Sequence, residues 1–316
     1  MRHLHLIIQP PQGLHPESLE ALPGLGKLLR RGRPLPPSAS VSEASCRALD
    51  IARQQDWPIA PLTAQAVGLA VGNDYWLRLD PVHLDVGMQG LYLRAGQVLD
   101  EAEASSLHAV LVPLIAQHGL EAFAGAEGVL YVRCENPPRL ETTPLDQVDG
   151  CQPTRFLPRG EDAPFWTHLL HEVQMALHEH PLNVARMAAG KAPINSLWPW
   201  GGGHLVLPAR TVDAAWGGAP LLHQLAMALD IPCHPCPAKL APTLARGETG
   251  GLVLLGGDGW ETDSPEATIH AWDNAWFQPL AAALRLGRLS TVNLSIPGAA
   301  AASRTLGPWD IWRLWA

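Results

Sequence analysis

The sequence predicts an α/β fold with a mostly parallel central sheet, helices on both faces of that sheet, and an inserted smaller α+β domain. Three observations support this class. Short apolar segments alternate with helical patterns near both ends of the chain, as they do in parallel sheets covered by helices. Residues 74–133 instead follow a β-β-α-β order. The 316 residues are enough for two domains or for one large domain with an insertion.

The core is expected to begin with a strand at residues 4–8, an apolar segment followed by Pro10 and Pro11. Apolar residues at helical spacing predict short helices at 22–29 and 43–54. The alternation resumes late in the chain, with strands predicted at 204–207, 251–255 and 291–296 and helices at 221–229 and 264–286.

The middle of the chain has the composition of a separate module. Strands are predicted at 75–79, 90–94 and 128–133, and a helix is predicted at 100–118 because its apolar residues recur on one face. We therefore expect a discontinuous core domain of residues 1–72 and 151–316, with an inserted α+β domain at 73–150.

The strongest helical pattern covers residues 163–180, where apolar side chains recur at three- and four-residue steps between two prolines. Its opposite face carries His168, His171, Gln174 and His178. A thermolysin-type HExxH motif is absent, because Met175 stands where the second histidine is needed. This pattern favours ordinary polar-face histidines over a metal site, although residues seven apart share a face and would allow His171 and His178 to cooperate.

Two candidate binding motifs follow this helix. His180, Asn183 and Arg186 lie where Pro181 must end the helix, so they either act only at the helix end or contact an anion. The second motif is residues 195–203, Asn-Ser-Leu-Trp-Pro-Trp-Gly-Gly-Gly. Its indoles and glycines would let backbone approach a ligand closely, but packing of a tight βα corner is the favoured interpretation. Neither nucleotide-binding glycine motif occurs here.

Other candidate sites have simpler alternatives. Asp80, His83 and Asp85 form a candidate acid/base cluster after a predicted strand, but the two aspartates are more readily explained as turn residues. Residues 256–260, Gly-Gly-Asp-Gly-Trp, resemble a phosphate-approaching loop, but no lysine follows and a plain turn is favoured. No GxSxG serine-hydrolase motif occurs.

Composition excludes several classes of protein. The formal net charge of −8, with 22 Lys and Arg, argues against a general nucleic-acid binder, and the basic segment 27–33 is expected to be a solvated helix end. The absence of an apolar run long enough for a bilayer predicts no membrane association, and the cytoplasm is the expected location. The five cysteines predict reduced thiols. Cys233 and Cys236 lack a second cysteine pair, so small buried thiols are favoured over zinc.

The order of these segments resembles the archaeal-type cofactor-independent phosphoglycerate mutases, a branch of the alkaline-phosphatase-like superfamily. The resemblance is most specific after residue 178, where the spacing of polar, proline and tryptophan residues is similar to the family pattern. The matching segments are 22–32, 75–85 with Arg78, 141–150, and the series His180, Pro181, Leu182, Asn183, Arg186, Gly190, Pro193, Asn195, Trp198, Trp200 and Gly201.

This resemblance implies an alkaline-phosphatase-like core, and a reaction in which two divalent metals and a serine nucleophile move a phosphoryl group between hydroxyls of phosphoglycerate. It also implies a pocket for a small anionic or phosphorylated ligand. The expected substrate-binding residues are Arg78, His180, Asn183, Arg186, Asn195 and Trp200.

The sequence departs from the family at three metal-binding segments. The first strand ends in Gln9-Pro10-Pro11-Gln12-Gly13 where the family has Asp-Gly, and Pro297-Gly298 follows the last predicted strand where the family has Asp-His. Residues 263–268 lack the histidine of the family's late motif, and His270 is displaced. We therefore expect no resident cofactor, with Mn or Zn present only if the protein is a mutase.

Two functional hypotheses from different classes remain. The first is a non-catalytic binding or regulatory protein. The alternative is an active phosphoglycerate mutase, or a related phosphotransfer enzyme with a relocated site that uses Asp80, His83 or His178 as acid and base. A tryptophan-rich tail, with Trp309, Trp312 and Trp315, is in addition expected to dock a protein partner.

Overall fold

Two β-sheets organise the chain, and each belongs to a different unit of the structure. This computed structural model describes residues 2–11, 14, 16–88, 90–244, 249–256, 264–299 and 302–312. Unit 1 comprises residues 1–51 and 208–316, and unit 2 comprises residues 52–207. The strands are β1 (His3–Ile8), β2 (Arg33–Pro34), β3 (Tyr75–Gly87), β4 (Gly90–Arg94), β5 (Glu121–Ala124), β6 (Leu130–Cys134), β7 (Ser196–His204), β8 (Ala214–Trp216), β9 (Cys233–His234), β10 (Gly250–Leu255), β11 (Thr291–Ser295) and β12 (Arg304–Leu306).

The helices are short apart from one in each half of unit 2. They are α1 (Pro16–Glu20), α2 (Leu25–Arg31), α3 (Val41–Ala48), α4 (Ile59–Ala66), α5 (Glu101–Gln117), α6 (Leu145–Val148), α7 (Ala163–Leu177), α8 (Pro181–Ala188), α9 (Pro220–Ala228), α10 (Ala241–Leu244), α11 (Pro265–Trp272) and α12 (Gln278–Arg285).

The sheet of unit 1 has seven strands in the order β2-β12-β11-β1-β10-β8-β9. The five strands from β11 to β9 are parallel, and β12 and β2 join antiparallel at one edge. Strand β1 is central, and from Leu4 to Ile8 its side chains are buried or half-buried on both faces, as in other parallel sheets covered by helices. Leu4 and Leu6 pack with α2, α11 and α12 in one core cluster, while His5 and Ile7 face α3 on the other side. Helices cover both faces, so the predicted fold class is confirmed.

One predicted helix of unit 1 is interrupted. The sequence predicts a continuous helix at 264–286, but a π-helical turn at Asp273–Phe277 separates α11 from α12. The carboxylate of Asp273 is buried and accepts hydrogen bonds from the backbone N–H groups of Gly24 (3.0 Å) and Leu25 (2.9 Å), at the start of α2. A negative charge is favourable at a helix N-terminus, so the turn places Asp273 where it stabilises α2.

The sheet of unit 2 is antiparallel and is built around the 13-residue strand β3. The strand order is β4-β3-β6-β5, and β7 also pairs with β3. On one edge, β3 pairs with β6 up to Leu79 and with β4 from His83 onward. Pro81 lies in the gap between these two partners, where a residue without a backbone N–H costs no ladder hydrogen bond. Helices α5 and α7 pack on one face of this sheet in a second core cluster.

Strand β7 has different bounds from the strand that the sequence predicts. The sequence predicts a tight corner at 195–203 and a strand at 204–207, but residues 196–204 form the strand, and residues 205–207 lie outside it. Gly202 and Gly203 are needed because a Cβ atom there would lie 2.2 Å from the Tyr75 hydroxyl oxygen or 2.6 Å from the Cβ of Pro58. Pairing of β7 with β3 also extends unit 2 to residues 52–207, which differs from the expected insertion at 73–150.

Candidate functional site

Unit 2 contains a cavity of about 460 Å³ between α7, the β3–β4 hairpin and the first residues of β7. Its walls are mainly apolar, and its few polar groups lie mostly along α7 and at the start of β7. The lining residues are Leu84, Val86, Leu91, Pro153, Thr154, Leu157, Thr167, Leu170, His171, Gln174, His178, Asn195, Ser196, Leu197 and Trp198.

Helix α7 contributes a polar stripe to this cavity. Thr167, His171 and Gln174 occur at steps of three or four residues and therefore share one helical face, and His178, the residue directly after α7, follows four residues later. The Thr167 hydroxyl donates to the backbone oxygen of Ala163 (2.9 Å). The side chains of the other three have no hydrogen-bond or ionic partner among the described residues. The cavity thus has polar groups free to bind a ligand.

His168, on α7 but outside the cavity, has a different environment. The carboxylate of Glu172 lies 2.7 Å from Nε2 of His118 and 3.0 Å from Nε2 of His168. Its hydrogen bond with His118 is the main reason why the pKa of Glu172 is below its ordinary value. His168 therefore belongs to a surface ion-pair cluster, whereas His171 and His178 line the cavity.

Arg78, Asp80 and Trp200 form a buried polar network in the centre of the sheet. The guanidinium of Arg78 donates to both carboxylate oxygens of Asp80 (2.7 and 2.8 Å), and the indole N–H of Trp200 donates to the same carboxylate (2.5 Å). Burial acts to lower the pKa of Arg78, but the charge and hydrogen bonds of Asp80 raise it above its ordinary value. Each charge in the network is thus compensated inside the protein.

The first expected binding motif, with His180 and Asn183, holds α8 in place. The ring nitrogen Nδ1 of His180 accepts from the backbone N–H of Leu182 (3.3 Å) and caps α8. The side-chain amide of Asn183 donates to the backbone oxygens of Leu177 (2.9 Å) and Ile194 (2.6 Å), and its oxygen accepts from the backbone N–H of Ile194 (2.8 Å). Asn183 therefore joins the end of α7 to the segment before β7.

Arg186 and Asn195 also have partners within unit 2. Arg186 donates to Glu103 of α5 (2.9 Å) and to the backbone oxygen of Ala192 (2.8 Å), with only 3% of the residue exposed. The side-chain amide of Asn195 bonds to the backbone N–H (2.7 Å) and oxygen (2.9 Å) of Leu84. Both residues thus link segments that lie far apart in sequence.

The structure brings only some of the predicted site residues together. His178 and Asn195 line the cavity, whereas Arg78, Asp80 and Trp200 form the separate buried network.

Asp80, His83 and Asp85 all lie inside β3, so the expectation that the two aspartates form a turn is wrong. Nδ1 of His83 is buried and has no hydrogen-bond partner in the part of the chain that the structure describes. The catalytic and substrate-binding roles of these residues stay predictions.

Sequence reasoning missed Asp56, which has the most informative titration behaviour in unit 2. Only 4% of this residue is exposed, and its carboxylate accepts from the Thr142 hydroxyl (2.5 Å) and backbone N–H (3.1 Å). Burial raises the pKa of Asp56 to about 6, although the bonds from Thr142 oppose the increase. The one sequence signal is an aspartate directly before the apolar residues Trp57-Pro58-Ile59.

The carboxyl edge of the parallel sheet in unit 1 is where ligands bind in open α/β folds. There, β1 is followed by Gln9, Pro10 and Pro11, and β11 is followed by Ile296, Pro297 and Gly298. Across the described ranges, no group of three or more His, Cys, Asp or Glu side chains is arranged to hold a metal ion. The predictions for residues 257–260, for Asp263 and for Trp315 lie outside the described residues.

Cys233 and Cys236 are half-buried free thiols near this sheet. Burial raises the pKa of Cys236 to about 12, and burial likewise raises that of Cys233. Both thiols are therefore protonated near neutral pH, which makes them weak nucleophiles and weak metal ligands.

Among the described helices, none is both long and apolar enough to cross a bilayer.

Comparison with known proteins identifies relatives but no matching family model. A 2,3-bisphosphoglycerate-independent phosphoglycerate mutase of Methanosarcina mazei is 28% identical over 194 residues, which are 58% of this chain and 48% of that protein. The protein of the same name from Methanosarcina barkeri is 30% identical over 183 residues, or 57% of this chain and 45% of that protein. The chain thus spans about half the length of the curated relatives that it matches.

Two solved structures give weaker likenesses. The cofactor-independent phosphoglycerate mutase of Thermoplasma acidophilum has 18% identity and a TM-score of 0.43, covering 93% of this chain and 87% of the other. The PH0037 protein of Pyrococcus horikoshii has 16% identity and a TM-score of 0.48, covering 96% and 84%. The fold assignment therefore rests on the strand topology of the chain itself. The sequence matches confirm the resemblance: over somewhat more than half of its length, the chain is similar to 2,3-bisphosphoglycerate-independent phosphoglycerate mutases.

Proposed function

We propose that this protein is a phosphoglycerate-mutase-like binding or regulatory protein that has lost two-metal phosphoryl transfer. The observation that carries the proposal is the chemistry of the carboxyl edge of the parallel sheet. Divalent Mn and Zn are held in proteins by carboxylates and imidazoles and, for Zn, also by thiolates. The described residues that directly follow β1 and β11 instead offer one neutral amide, that of Gln9, together with prolines, a glycine and an isoleucine.

The described residues at this edge therefore do not fit the metal pair that the family resemblance implies. The late segment 264–268 also has no histidine. The protein is proposed to bind a small anionic ligand, and the cytoplasmic location expected from the sequence is part of the same proposal.

The proposal is tested by measuring turnover and metal content together. The purified protein is assayed for interconversion of 3-phosphoglycerate and 2-phosphoglycerate with added Mn²⁺ or Zn²⁺, with the Methanosarcina mazei mutase as the positive control, and its metal content is measured by mass spectrometry. We expect no turnover above background and less than one metal ion per chain. Chelator-sensitive turnover together with stoichiometric metal would show that a two-metal site persists.

The alternative enzyme has its own outcome in the same assay. Turnover that survives chelator and is lost in His83→Ala or His178→Ala would support phosphotransfer at a relocated site. The unpaired Nδ1 of His83 favours this variant of the alternative, since a histidine nitrogen without a fixed partner is free to accept or donate a proton. His223→Ala, on α9 of unit 1, is the matched control and should leave any turnover unchanged.

We propose a second function, docking of a protein partner, for a surface of unit 1 that we call the tryptophan patch: Trp309, Trp312 and the cations around them. Trp309 is 85% exposed and Trp312 is 58% exposed. The guanidinium carbon of Arg285 lies 5.4 Å from the centroid of the Trp312 ring. Burial and the nearby charges of Arg285 and Arg31 lower the pKa of Lys27, so several cations are close together here. Exposed indoles beside cations are complementary to an acidic, partly aromatic segment of a partner protein.

A fluorescein-labelled peptide of alternating Glu and Phe serves as the probe for the tryptophan patch, and fluorescence anisotropy is the readout. We expect saturable binding that weakens with salt and is lost in Trp309→Ser/Trp312→Ser. A peptide with Lys in place of Glu is the control. Equal binding of both peptides, or binding that survives the double substitution, would contradict docking of an acidic segment at this patch.

A further inference from the structure

We infer that the cavity of unit 2 binds a small amphipathic ligand, with an aromatic or aliphatic body against the apolar walls and an anionic group beside His171, Gln174 and His178. The inference rests on the proposed function, since it names the ligand class that a binding protein with this cavity takes. It concerns a site whose lining residues all belong to unit 2.

The size and walls of the cavity define the body of the ligand. A volume of about 460 Å³ lies within the range of roughly 300–1,000 Å³ that is usual for small-molecule sites. Leu84, Leu91, Leu170, Leu197 and Trp198 supply the walls. These surfaces gain from covering an apolar molecule, because removal of apolar area from water is favourable. Phosphoglycerate, which carries an oxygen substituent at every carbon, does not match such walls.

Two wall residues extend this argument to the rim. Val86 is 82% exposed and Leu157 is 40% exposed, and both line the cavity. Large apolar side chains that line a concave surface and remain exposed are typical of a ligand-binding groove. An apolar body seated in the cavity would cover them.

The polar stripe of α7 defines the charged end of the ligand. His171, Gln174 and His178 offer N–H donors, and none of their side chains has a partner among the described residues. Among the residues that the structure describes, no Asp, Glu, Lys or Arg side chain lines the cavity. A cation would therefore find no counter-charge, whereas an anion would receive hydrogen bonds without facing a carboxylate.

The neighbouring carboxylate on α7 does not oppose this choice. Glu172 follows His171 in sequence, but its carboxylate is held by His118 and His168 on another face of the helix. The residues that flank the start of β7 also leave the donors free, since the Asn195 amide is occupied by the backbone of Leu84. His171, Gln174 and His178 are thus available to an anionic head.

The test uses 8-anilinonaphthalene-1-sulfonate, which joins an aromatic body to a sulfonate, and N-phenyl-1-naphthylamine, which is the same body without the anion. Both are titrated into the full chain carrying Trp309→Ser/Trp312→Ser, which removes the exposed indoles of the tryptophan patch as a second probe site. Energy transfer from tryptophan reports binding, since Trp198 lines the cavity. We expect one sulfonate probe per chain, bound about tenfold more tightly than the neutral probe, as one charge-assisted hydrogen bond supplies.

Three variants locate the bound probe. Thr167→Trp places an indole into the cavity from the exposed surface of α7, and it should abolish binding of both probes. His171→Phe/His178→Phe keeps the ring size but removes the donors, so it should weaken the sulfonate probe to the level of the neutral one while the neutral probe binds unchanged. His223→Phe, an exposed histidine of unit 1, is the matched control. Circular dichroism melting curves show that each variant is folded.

The inference is overturned if a folded Thr167→Trp variant binds the sulfonate probe as tightly as the parent does, or if the two-histidine variant keeps the preference for the anion. These results are independent of the metal and turnover assays. Mutase turnover with probe binding as described would refute the loss of catalysis and leave the cavity assignment standing. Absence of turnover, with the probe bound elsewhere, would support the loss of catalysis and refute the cavity assignment.

Discussion

Replacing Asp56 by asparagine is expected to stabilise unit 2 at neutral pH. The carboxylate is almost fully buried, with 4% of the residue exposed, and its partner is Thr142, which donates from both its hydroxyl and its backbone N–H. Asparagine has nearly the same shape. Its side-chain oxygen accepts the backbone N–H of Thr142, and its NH₂ group donates to the threonine hydroxyl, which rotates to accept.

The magnitude follows from the pKa of Asp56. Burial raises this pKa from 3.8 to about 6 in the folded protein, so folding favours the protonated acid. The carboxyl therefore causes no loss of stability below about pH 4, and its ionisation destabilises the folded state increasingly as the pH rises to about 6. A separation of about 2 pH units corresponds to about 3 kcal/mol above pH 7. Asp56→Asn should recover most of this free energy at pH 7 and almost none at pH 4.

Urea unfolding followed by tryptophan fluorescence measures the difference at pH 4, 5, 6 and 7. The difference in the free energy of unfolding between variant and parent should rise with pH across this range. Asp85→Asn removes a carboxyl that is 46% exposed and serves as the matched control with a small, nearly constant effect. A difference that does not depend on pH, or a variant that is less stable at pH 7, would refute the argument from burial.

Three further substitutions test other contacts by urea denaturation. Asp80→Ala leaves the buried guanidinium of Arg78 without its carboxylate. The free energy of unfolding should therefore fall by about 3–5 kcal/mol. A fall of less than about 1 kcal/mol would contradict the ion-pair network. Asn183→Ala removes three hydrogen bonds and should cost about 2–4 kcal/mol, whereas Val184→Ala, at an exposed neighbour, should cost less than about 0.5 kcal/mol. Trp309→Ala should also change stability by less than about 0.5 kcal/mol, because the indole is 85% exposed; a larger loss would show that this indole packs against the fold.

Local sequence patterns were sufficient for much of the parallel sheet and for the main helix of unit 2. Strands predicted at 4–8, 251–255 and 291–296 agree with β1, β10 and β11 within a few residues at their ends. The helix predicted at 163–180 ends at Leu177 in the structure. These elements were predictable because hydrophobic periodicity and helix-ending prolines are properties of consecutive residues.

Local patterns failed where a strand depends on its partner. Residues 196–204 contain a proline and three glycines, which disfavour a strand when they are considered alone. Pairing with β3 along most of its length overrides this preference. Strand β8 was missed for a related reason, since its three residues are too few to show a period.

The sequence by itself determined the fold class, the amphipathic helix α7 and the relationship to phosphoglycerate mutases. Each of these depends on residue types that recur at short or fixed spacings along the chain. Only the tertiary structure decided which polar side chains are available. Asp80 meets Trp200 at a separation of 120 residues, and Arg186 meets Glu103 at a separation of 83, so neither pairing has a local signature. The same holds for the cavity, whose walls come from four distant segments of the chain. A buried charge or amide must find a partner wherever the fold supplies one, and that requirement left His171, Gln174 and His178 as the uncommitted groups beside the cavity.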